Sequence, residues 1–320
     1  RGSTGPGSWS RSTRSRGGPR PTSSPVLRVL AVLVLLAAGW APPTARADEI
    51  RVTDDTGREL VLERPAERVI ALYGAYNEIL AAMGLEDRLV GRTKADRLPP
   101  SILSRPSIGT HMRPNVELVL SLEPDLILQS AGRREAAAVV QQLRRHGRTV
   151  AVFQPHRFSE LFSVIEKVGR LTGEPGAAAG LNRRLLRRLE AVERRLRGIE
   201  HRPRVFFEVR YPNLLGAGRE SIVNDIIERS GGVNCLGHPK KMVRIGMESL
   251  IRSDPEVYVV QEGPMNRAPS TPAERPHFGV LEAVRENRVL RVDEQVFSRP
   301  GPRSVDAVET LAAFLHPERF

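Results

Sequence analysis

Three consecutive residues, His111, Met112 and Arg113, form the segment of this sequence best suited to metal or anion chemistry. Two tyrosines, Tyr73 and Tyr76, follow the apolar run VIAL and add side chains of a similar kind. Histidine, methionine and tyrosine can each be an axial ligand of haem iron, and arginine presents a planar fork to carboxylates and phosphates. A lone histidine or methionine in a loop is more often a packing or surface residue. The residues alone leave both interpretations open.

Loops that follow predicted strands in the second half of the chain carry comparable side chains. If each sheet turns the carboxyl ends of its strands toward a gap between two lobes, such loops line a cleft. Tyrosine offers a flat apolar face with a polar tip, which suits a large and partly polar ligand. Arg303 has a second interpretation, which is pairing or capping at the start of the last helix. The candidate binding residues in this half are Arg210, Tyr211, Met265, Asn266, Phe297, Arg299 and Arg303.

Sequence signatures of catalysis are missing. The chain has no G-x-S-x-G elbow, no G-x-x-x-x-G-K-[ST] phosphate loop and no G-x-G-x-x-G after its first strand. We therefore expect no catalytic residue, and an α/β enzyme is the less favoured alternative. Bare zinc or manganese ions, or an oxyanion, are alternative ligands. A bare metal site needs several convergent ligands, whereas the seven histidines are dispersed and Cys235 is the only cysteine.

The order of predicted elements repeats on either side of one long helix. Apolar strands alternate with helices in both halves, which is typical of mainly parallel sheets in an α/β fold. A helix, a proline (Pro124 or Pro255) and a strand occur at the same place in the two halves, and each strand then reaches a glutamine, Gln129 or Gln261. We predict two Rossmann-like lobes with mainly parallel sheets, joined by a single long α-helix.

An apolar stripe predicts the linking helix, since its members step by three or four residues. The stripe consists of Leu181, Leu185, Leu189, Val192, Leu196 and Ile199. A helix from about Ala177 to Ile199 would be about 35 Å long. Glu190 with Arg194, and Glu193 with Arg197, have the favourable spacing for helical ion pairs. An ordinary surface helix or a short coiled coil is the alternative interpretation of this stretch.

Local patterns complete the predicted elements. A β-hairpin is predicted with its turn at 54–57, because an Asp-Asp-Thr-Gly turn lies between alternating segments. A helix is predicted within 220–234, opened by the segment 216–221 and closed by Gly231 and Gly232, and 287–297 is predicted to supply the last strand. The predicted segments of the chain are a signal peptide and leader (1–47), an N-terminal lobe (48–172), a connecting helix (173–200) and a C-terminal lobe (201–320).

The leader is predicted from an apolar run, 26–41, followed by an A-x-A pattern at 45–47. It contains seven arginines and no acidic residue, so the net charge falls from +12 for the whole chain to +5 for the remainder. That distribution does not favour nucleic acid as a partner. We expect export to the periplasm in soluble form, after cleavage before Asp48.

From Glu49 to Phe320 the sequence resembles the substrate-binding proteins of ABC importers for iron chelates (siderophores and haem) and for vitamin B12. Segments that carry the resemblance include NEILAAMGLEDRLVG, NVELVLSLEPDLIL, AGRESIVNDIIERSGGVN and SRPGPRSVDAVETLAAFLHPERF. The resemblance implies two Rossmann-like lobes bridged by one long helix. It also implies that the ligand is held between the lobes and that the protein has no cofactor of its own.

The resemblance leaves the ligand open among siderophores, haem and cobalamin. FSRPGPR is similar to the cleft segment of the B12 binders, which implies Phe297 and Arg299 as ligand contacts. The loop holding His111, Met112 and Arg113 corresponds to one in which siderophore binders place an arginine. Haem binders place an axial ligand there and B12 binders an aromatic residue. Haem is the sharpest hypothesis, because it would use His111, Met112 and the tyrosine pair.

The resemblance further implies that the protein docks as a monomer on an inner-membrane permease, which works with its ATPase. In that family one exposed glutamate on each lobe pairs with a permease arginine. Glu135 fits this place on the first lobe, and Glu262 and Glu274 compete for it on the second. We prefer Glu274, because Glu262 is close to a strand end and can face the cleft. An ordinary solvated surface charge is the alternative for each of them.

Overall fold

A computed structural model describes residues 7–8, 10, 49–131 and 134–320 of the chain. The predicted leader, 1–47, lies outside the described residues except at positions 7, 8 and 10. Residues 48–320 constitute one compact unit. Among the described residues, no helix is long and apolar enough to cross a membrane.

The first lobe is built on a parallel sheet of four strands in the order β4-β3-β5-β6. Its strands are short apolar runs that are almost entirely buried, as expected when both faces of a parallel sheet are covered. The predicted hairpin precedes this sheet as an antiparallel pair. The strands are β1 (Ile50–Thr53), β2 (Glu59–Leu62), β3 (Val69–Ala71), β4 (Leu89–Gly91), β5 (Leu126–Ser130) and β6 (Val150–Phe153).

The described residues of the first lobe form four α-helices. The Asn115 side chain caps the second of them by accepting a hydrogen bond from the Leu118 amide. The fourth helix was not anticipated, although Leu161, Val164 and Val168 follow the helical period and are buried. The helices are α1 (Gly74–Ala82), α2 (Val116–Ser121), α3 (Arg134–Arg145) and α4 (Phe158–Leu171).

The linking helix α5 (Pro175–Arg195) has 21 residues and is about 31 Å long. It starts at the proline and ends one turn before Ile199, because Leu196 is already its C-terminal cap. The stripe residues Leu181, Leu185 and Leu189 are buried as predicted. A single continuous helix between the two sheets confirms the predicted architecture.

The ion pairs predicted along α5 are wrong. Glu190, Glu193 and Arg194 are exposed, and within the described residues neither predicted pair comes into salt-bridge contact. Solvent competes effectively with exposed ion pairs of this kind, so they contribute little to stability. The ion pair that α5 does make is tertiary: Arg188 binds both Asp306 and Glu309, with N–O distances of 2.6 Å.

The second lobe is built on a mixed sheet of six strands. Its main order is β10-β8-β7-β11-β12, with β9 pairing beside β7, and β8 and β10 are the antiparallel members. The strands are β7 (Arg204–Arg210), β8 (Leu215–Ala217), β9 (Val233–Asn234), β10 (Met242–Arg244), β11 (Val257–Glu262) and β12 (Val289–Asp293).

One boundary predicted in this lobe is wrong. Gly216 and Ala217 lie in strand β8, and the helix predicted from about Glu220 begins at Ile222, after a Ser221 cap, as expected to within two residues. The last strand ends at Asp293, whose carboxylate caps a short helix that takes up the rest of the predicted strand. In both cases a side-chain cap fixes the helix start.

The second-lobe helices pack on the sheet and on α5. The elements predicted around Pro255 are present in the same order as those around Pro124 in the first lobe. The helices are α6 (Ile222–Arg229), α7 (Met247–Ser253), α8 (Glu282–Arg285), α9 (Glu294–Phe297) and α10 (Ser304–Leu315). Short 3-10 segments are Glu86–Arg88, Pro100–Ser104, Pro272–Glu274, Phe278–Val280 and Pro317–Arg319.

One apolar core joins the two sheets through α5. The cluster contains Val69 of β3, Leu185 and Leu189 of α5, and Val205 of β7. The two lobes are therefore not independent bodies on a flexible tether, because both bury apolar surface against the same helix.

Replacing Leu189 by alanine removes a buried member of the stripe, and we expect it to lower the free energy of unfolding by about 2–5 kcal/mol. Leu186 on the same helix is 40% exposed and provides a matched control. Leu186→Ala is expected to cost less than about 1 kcal/mol. Urea denaturation measures both values, and equal losses would show that α5 is not packed through this stripe.

Candidate functional site

A cavity of about 610 Å³ lies between the two sheets, at the carboxyl ends of their parallel strands. Its first wall comes from the segments that follow β3, β4, β5 and β6. Its second wall comes from the ends of β7, β11 and β12, the segment from β8 to the start of α6, and the start of β10. This is the usual position of ligands in open α/β folds, and the volume suits a drug-sized or larger molecule. The cavity is the candidate ligand site.

The first wall presents Tyr73, His111 and Met112 to the cavity. The rings of Tyr73 and His111 are in edge contact, with centroids 6.2 Å apart. Burial raises the pKa of Tyr73 to about 12, and the positive charge of Arg299 opposes that rise. The phenol is therefore protonated at neutral pH in the free protein, and a nearby cation favours its ionised form.

Backbone geometry and one buried amide shape the loop that carries His111. Gly109 has a φ of +98°, and a Cβ at this position would lie 2.8 Å from the carbonyl oxygen of Arg113. Glycine is therefore required for the tight turn. The buried side chain of Gln129 donates a hydrogen bond to the carbonyl oxygen of His111, at 3.0 Å. Strand β5 thus fixes the loop from beneath.

The second wall presents Met265, Glu294 and Arg299. The Met265 amide donates to Glu294 Oε2 at 2.7 Å, which fixes the Met265 loop over the short helix α9. Burial raises the pKa of Glu294 above its ordinary value. Arg299 reaches the opposite lobe: its guanidinium carbon lies 5.9 Å from the Tyr73 ring centre, and a Cβ on Gly74 would lie 2.9 Å from its Nη1.

The glutamine predicted at the end of each central strand has the same kind of role in both lobes. Gln261 on β11 accepts a hydrogen bond from the Ser298 hydroxyl and donates to the Val209 carbonyl, while Gln129 holds the His111 loop. Both side chains are fully buried. Each lobe therefore anchors a cavity loop to its own sheet through one amide.

The structure brings together Tyr73, His111, Met112, Met265 and Arg299 of the predicted ligand contacts. They come from four separate segments of the chain and from both lobes. The remaining predicted contacts do not line the cavity.

Tyr76 and Phe297 are core residues, which corrects their assignment as ligand contacts. The Tyr76 hydroxyl donates to the carbonyl oxygen of Phe153 at 2.7 Å, inside the first lobe. Phe297 is 3% exposed and stacks on Phe207, with ring centroids 6.1 Å apart. The periodicity of α1 and the helical turn of α9 direct these rings inward.

Asn266 and Tyr211 form a structural contact outside the cavity. The buried Asn266 amide donates to Glu208 Oε1 at 3.0 Å and accepts a hydrogen bond from the Tyr211 backbone at 3.0 Å. The Tyr211 ring lies under the guanidinium of Arg275, 4.0 Å from its centre. Arg275 in turn forms a buried ion pair with Glu208. These residues hold the Met265 loop and are not among the residues that line the cavity.

The predicted arginines other than Arg299 lie elsewhere. Arg113 is exposed and Arg210 is half-buried, and neither lines the cavity. Arg303 makes two hydrogen bonds to the carboxylate of Glu78, both at 2.7 Å. This pair joins the start of α10 in the second lobe to α1 in the first, so the pairing interpretation of Arg303 describes its contacts.

Sequence reasoning missed several cavity residues. His156 follows strand β6, and the rule that selects loops after strands would have found it. Glu294 was hidden inside the predicted last strand. Ser221 lies at the start of α6, and Lys241 lies just before the edge strand β10. Both are placed at the cavity by short second-lobe strands, which the sequence pattern does not predict strongly.

The proposed docking residues are on the surface. Glu135 is exposed in the first turn of α3. Glu274 is exposed and forms a capping box with Thr271, which gives it a local structural contact as well. Glu262 is exposed and pairs with Arg291 at 3.3 Å.

Metal-binding side chains are dispersed in the described part of the chain, where no three His, Cys, Asp or Glu residues are placed to share a metal ion. The thiol of Cys235 lies in the second lobe, outside the cavity, and burial raises its pKa to about 12. A thiol with this pKa is protonated and a weak nucleophile at neutral pH.

Comparisons with known proteins agree with this fold. A profile of periplasmic binding proteins matches residues 69–296. The vitamin B12-binding protein of Vibrio cholerae is 27% identical over 261 residues, covering 78% of this chain and 90% of that protein. The ABC transporter substrate-binding lipoprotein YvrC of Bacillus subtilis is 26% identical over 306 residues, covering 91% of this chain and 96% of that protein.

A solved structure shows the same arrangement. The periplasmic heme-binding protein BhuT, in complex with two hemes, matches with a TM-score of 0.70 at 26% identity, covering 80% of this chain and 100% of that chain. Since the family profile spans well over half of the sequence, the chain belongs to the periplasmic binding protein family. This confirms the predicted family resemblance and the two-lobed fold with a single linking helix.

Proposed function

We propose that the protein is the substrate-binding component of an ABC importer and that it captures a metal-bearing tetrapyrrole, with haem as the favoured ligand. The observation that carries the proposal is the cavity wall on which Tyr73, His111 and Met112 lie together, facing Met265 and Arg299 of the other lobe. Family members are binding proteins, and this geometry supports capture of a ligand, not a reaction.

The size and lining of the cavity favour a large chelate over a bare ion or an oxyanion. A zinc ion is bound by about four ligands at roughly 2.0–2.3 Å, which fills a small part of 610 Å³. Most lining side chains are apolar, including Met112, Val209 and Pro264. A flat ring system buries well against such a surface, while its polar substituents need a few fixed partners.

Three features favour haem within this class. Tyr73, His111 and Met112 are each a chemically suitable axial ligand of haem iron. Arg299 and Lys241 supply positive charge for the carboxylate groups of a haem. Two of the relatives named above bind tetrapyrroles, heme in BhuT and vitamin B12 in the Vibrio cholerae protein. Cobalamin is the second candidate, because a corrin has the same flat shape.

Titration of the purified protein with haem, followed by absorption spectroscopy, tests the ligand. We expect a saturable Soret band at one site, and a spectral shift with at least about tenfold weaker binding for whichever of Tyr73→Phe, His111→Ala and Met112→Ala removes an iron ligand. If Tyr73 held the iron, its phenol would give up a proton on binding, so haem affinity would rise with pH below the Tyr73 pKa of about 12, and Tyr73→Phe would abolish that slope.

Two matched control variants distinguish the loss of a ligand contact from a general effect of mutation on haem binding. Tyr211→Phe alters a tyrosine outside the cavity, and His146→Ala alters an exposed histidine, so both should bind haem like the wild type. Tight binding of cyanocobalamin with no Soret band would identify the second candidate. Binding of neither compound would contradict the proposal.

We place the working protein in the periplasm as a monomer, after removal of residues 1–47. The family membership supports this location, and the apolar run with its A-x-A pattern supports cleavage before Asp48. The partner is then an inner-membrane permease with its ATPase. Glu135 and Glu274, one exposed carboxylate on each lobe, are the proposed docking residues.

Removing both docking charges tests this surface. Glu135→Gln with Glu274→Gln should reduce transport in reconstituted vesicles by about tenfold or more, because rim charges steer docking. Glutamine can keep the capping box with Thr271, so ligand affinity and thermal stability should stay near wild type. Glu63→Gln with Glu286→Gln removes two other exposed charges and is the control. Equal transport in both double variants would place the docking residues elsewhere.

A further inference from the structure

The turn between α9 and α10 carries two arginines, Arg299 and Arg303, in the sequence Ser-Arg-Pro-Gly-Pro-Arg. Its two prolines fix their own φ angles, which limits the conformations open to the turn. The buried Ser304 hydroxyl donates a hydrogen bond to the carbonyl oxygen of Arg299 and accepts one from the Gly301 amide, both at 3.2 Å. The two arginines therefore belong to one constrained turn, and holding one of them restricts the other.

Arg303 is held by the opposite lobe. Its Nε and Nη2 donate to the two carboxylate oxygens of Glu78 on α1, both at 2.7 Å, and a two-point pair of this kind fixes direction as well as distance. The side chains of Arg303 and Glu78 are 24% and 12% exposed, so solvent and salt compete with this pair less than with a surface ion pair. Neither residue lines the cavity. The pair fixes the turn of the second lobe on the first helix of the first lobe.

Arg299 lines the cavity, but strong contacts do not hold its own guanidinium. Within the part of the chain that the structure describes, no carboxylate lies within salt-bridge distance of it, and its guanidinium carbon lies 5.9 Å from the Tyr73 ring centre. Ordering a long side chain during binding lowers affinity, unless the side chain is already held in place. The position of Arg299 therefore depends on the turn that carries it.

Gly74, the first residue of α1, leaves the space that Arg299 occupies. A Cβ at this position would lie 2.9 Å from Arg299 Nη1 and 2.7 Å from Asp96 Oδ1. A Cβ on Gly301 of the turn would lie 3.3 Å from the Cβ of Ala75 on α1. The two lobes meet here with little room for a further methyl group, so the place of Arg299 depends on how closely the turn is held to α1.

We propose that Glu78 and Arg303 are positioning residues of the ligand site and that they act through Arg299. The pair holds the turn against α1, and the turn then places the Arg299 guanidinium beside Tyr73 before a ligand arrives. This role rests on the proposed function, because it concerns how the same cavity is prepared for its ligand.

A double-mutant cycle on ligand affinity tests the action through Arg299. The probe is haem, or cyanocobalamin if titration identifies that compound as the ligand. Glu78→Gln should weaken binding by about three- to tenfold, because Arg299 must then be ordered during binding. The same change in an Arg299→Gln background should cost less than about twofold, since its effect depends on the arginine. Equal losses in the two backgrounds would overturn the proposal and assign the pair to general stability.

Glu309→Gln is the matched control for this change of charge. Glu309 also lies on α10 and pairs with an arginine, Arg188 of α5, but it is outside the cavity. Its loss should leave ligand affinity within about twofold of wild type. Thermal melts confirm that each variant is folded.

Gly74→Ala is a second variant, in which the Glu78–Arg303 pair is intact. The new Cβ meets only the ends of the flexible Arg299 and Asp96 side chains at close range, so the chain should fold normally. We expect about threefold weaker binding or more, because the Arg299 guanidinium is displaced. Gly176→Ala, where a Cβ meets nothing within 4 Å, is the control. Unchanged affinity in Gly74→Ala would contradict the proposal.

Chemical modification of arginine in the free protein tests the position of Arg299 without a ligand. Phenylglyoxal modifies accessible guanidinium groups, and mass spectrometry of peptides gives the rate at each one. The rate at Arg299 should rise by about threefold or more in Glu78→Gln, because a released turn gives the side chain more freedom. Arg64, exposed on the first lobe, should keep its rate.

The modification rate also separates this inference from the proposed function. If the wild type bound neither haem nor cyanocobalamin, the proposed function would fail, and the rate at Arg299 would still decide whether Glu78 positions that residue. An unchanged rate in Glu78→Gln would overturn the inference, even if the wild type bound haem tightly.

Discussion

Burial of one apolar stripe on α5 against both lobes is the constraint on which the rest of this structure depends. Leu185 and Leu189 belong to the same core as the central strands of the two sheets. Arg188 adds an ion pair to α10 on the flank of the stripe. A single packed helix permits bending far less readily than paired flexible strands, so the angle between the sheets is set by packing.

Direct contacts between the lobes support the same geometry on the cavity side. Glu78 and Arg303 pair with two hydrogen bonds across the interface. The Asp225 carboxylate of the second lobe accepts a hydrogen bond from the Phe158 amide at the start of α4, at 2.7 Å. Carboxylates are favourable at helix N-termini. The cavity is therefore largely formed before a ligand arrives, which reduces the ordering cost of binding.

Much of the fold could be predicted because its signals are local. The stripe of α5, the turn of the hairpin and the repeated proline between helix and strand each depend on neighbouring residues. The strand end at Asp293 was misplaced and strand β8 was not predicted, because short second-lobe strands have weak patterns. Their assignment depends on tertiary pairing.

The candidate site was predictable as a set of loops, and less so residue by residue. Tyr73 and Tyr76 are three positions apart, yet only Tyr73 faces the cavity, because α1 turns the other ring into the core. Phe297 is buried by a stacking contact with Phe207, ninety positions away in the sequence. The partner of Arg303 is similarly remote. Contacts of this kind form only in the assembled fold, so the local spacing of residues in the sequence does not predict them.

Small-angle scattering of the free protein and of its haem complex tests the central claim most directly, which is that α5 and the contacts between the lobes hold the cavity ready for its ligand. The account predicts that the two scattering curves nearly superimpose, as for partners whose backbone moves by about 1 Å or less on binding. A change in the radius of gyration of several ångströms would contradict it, because it would show that the lobes close around the ligand.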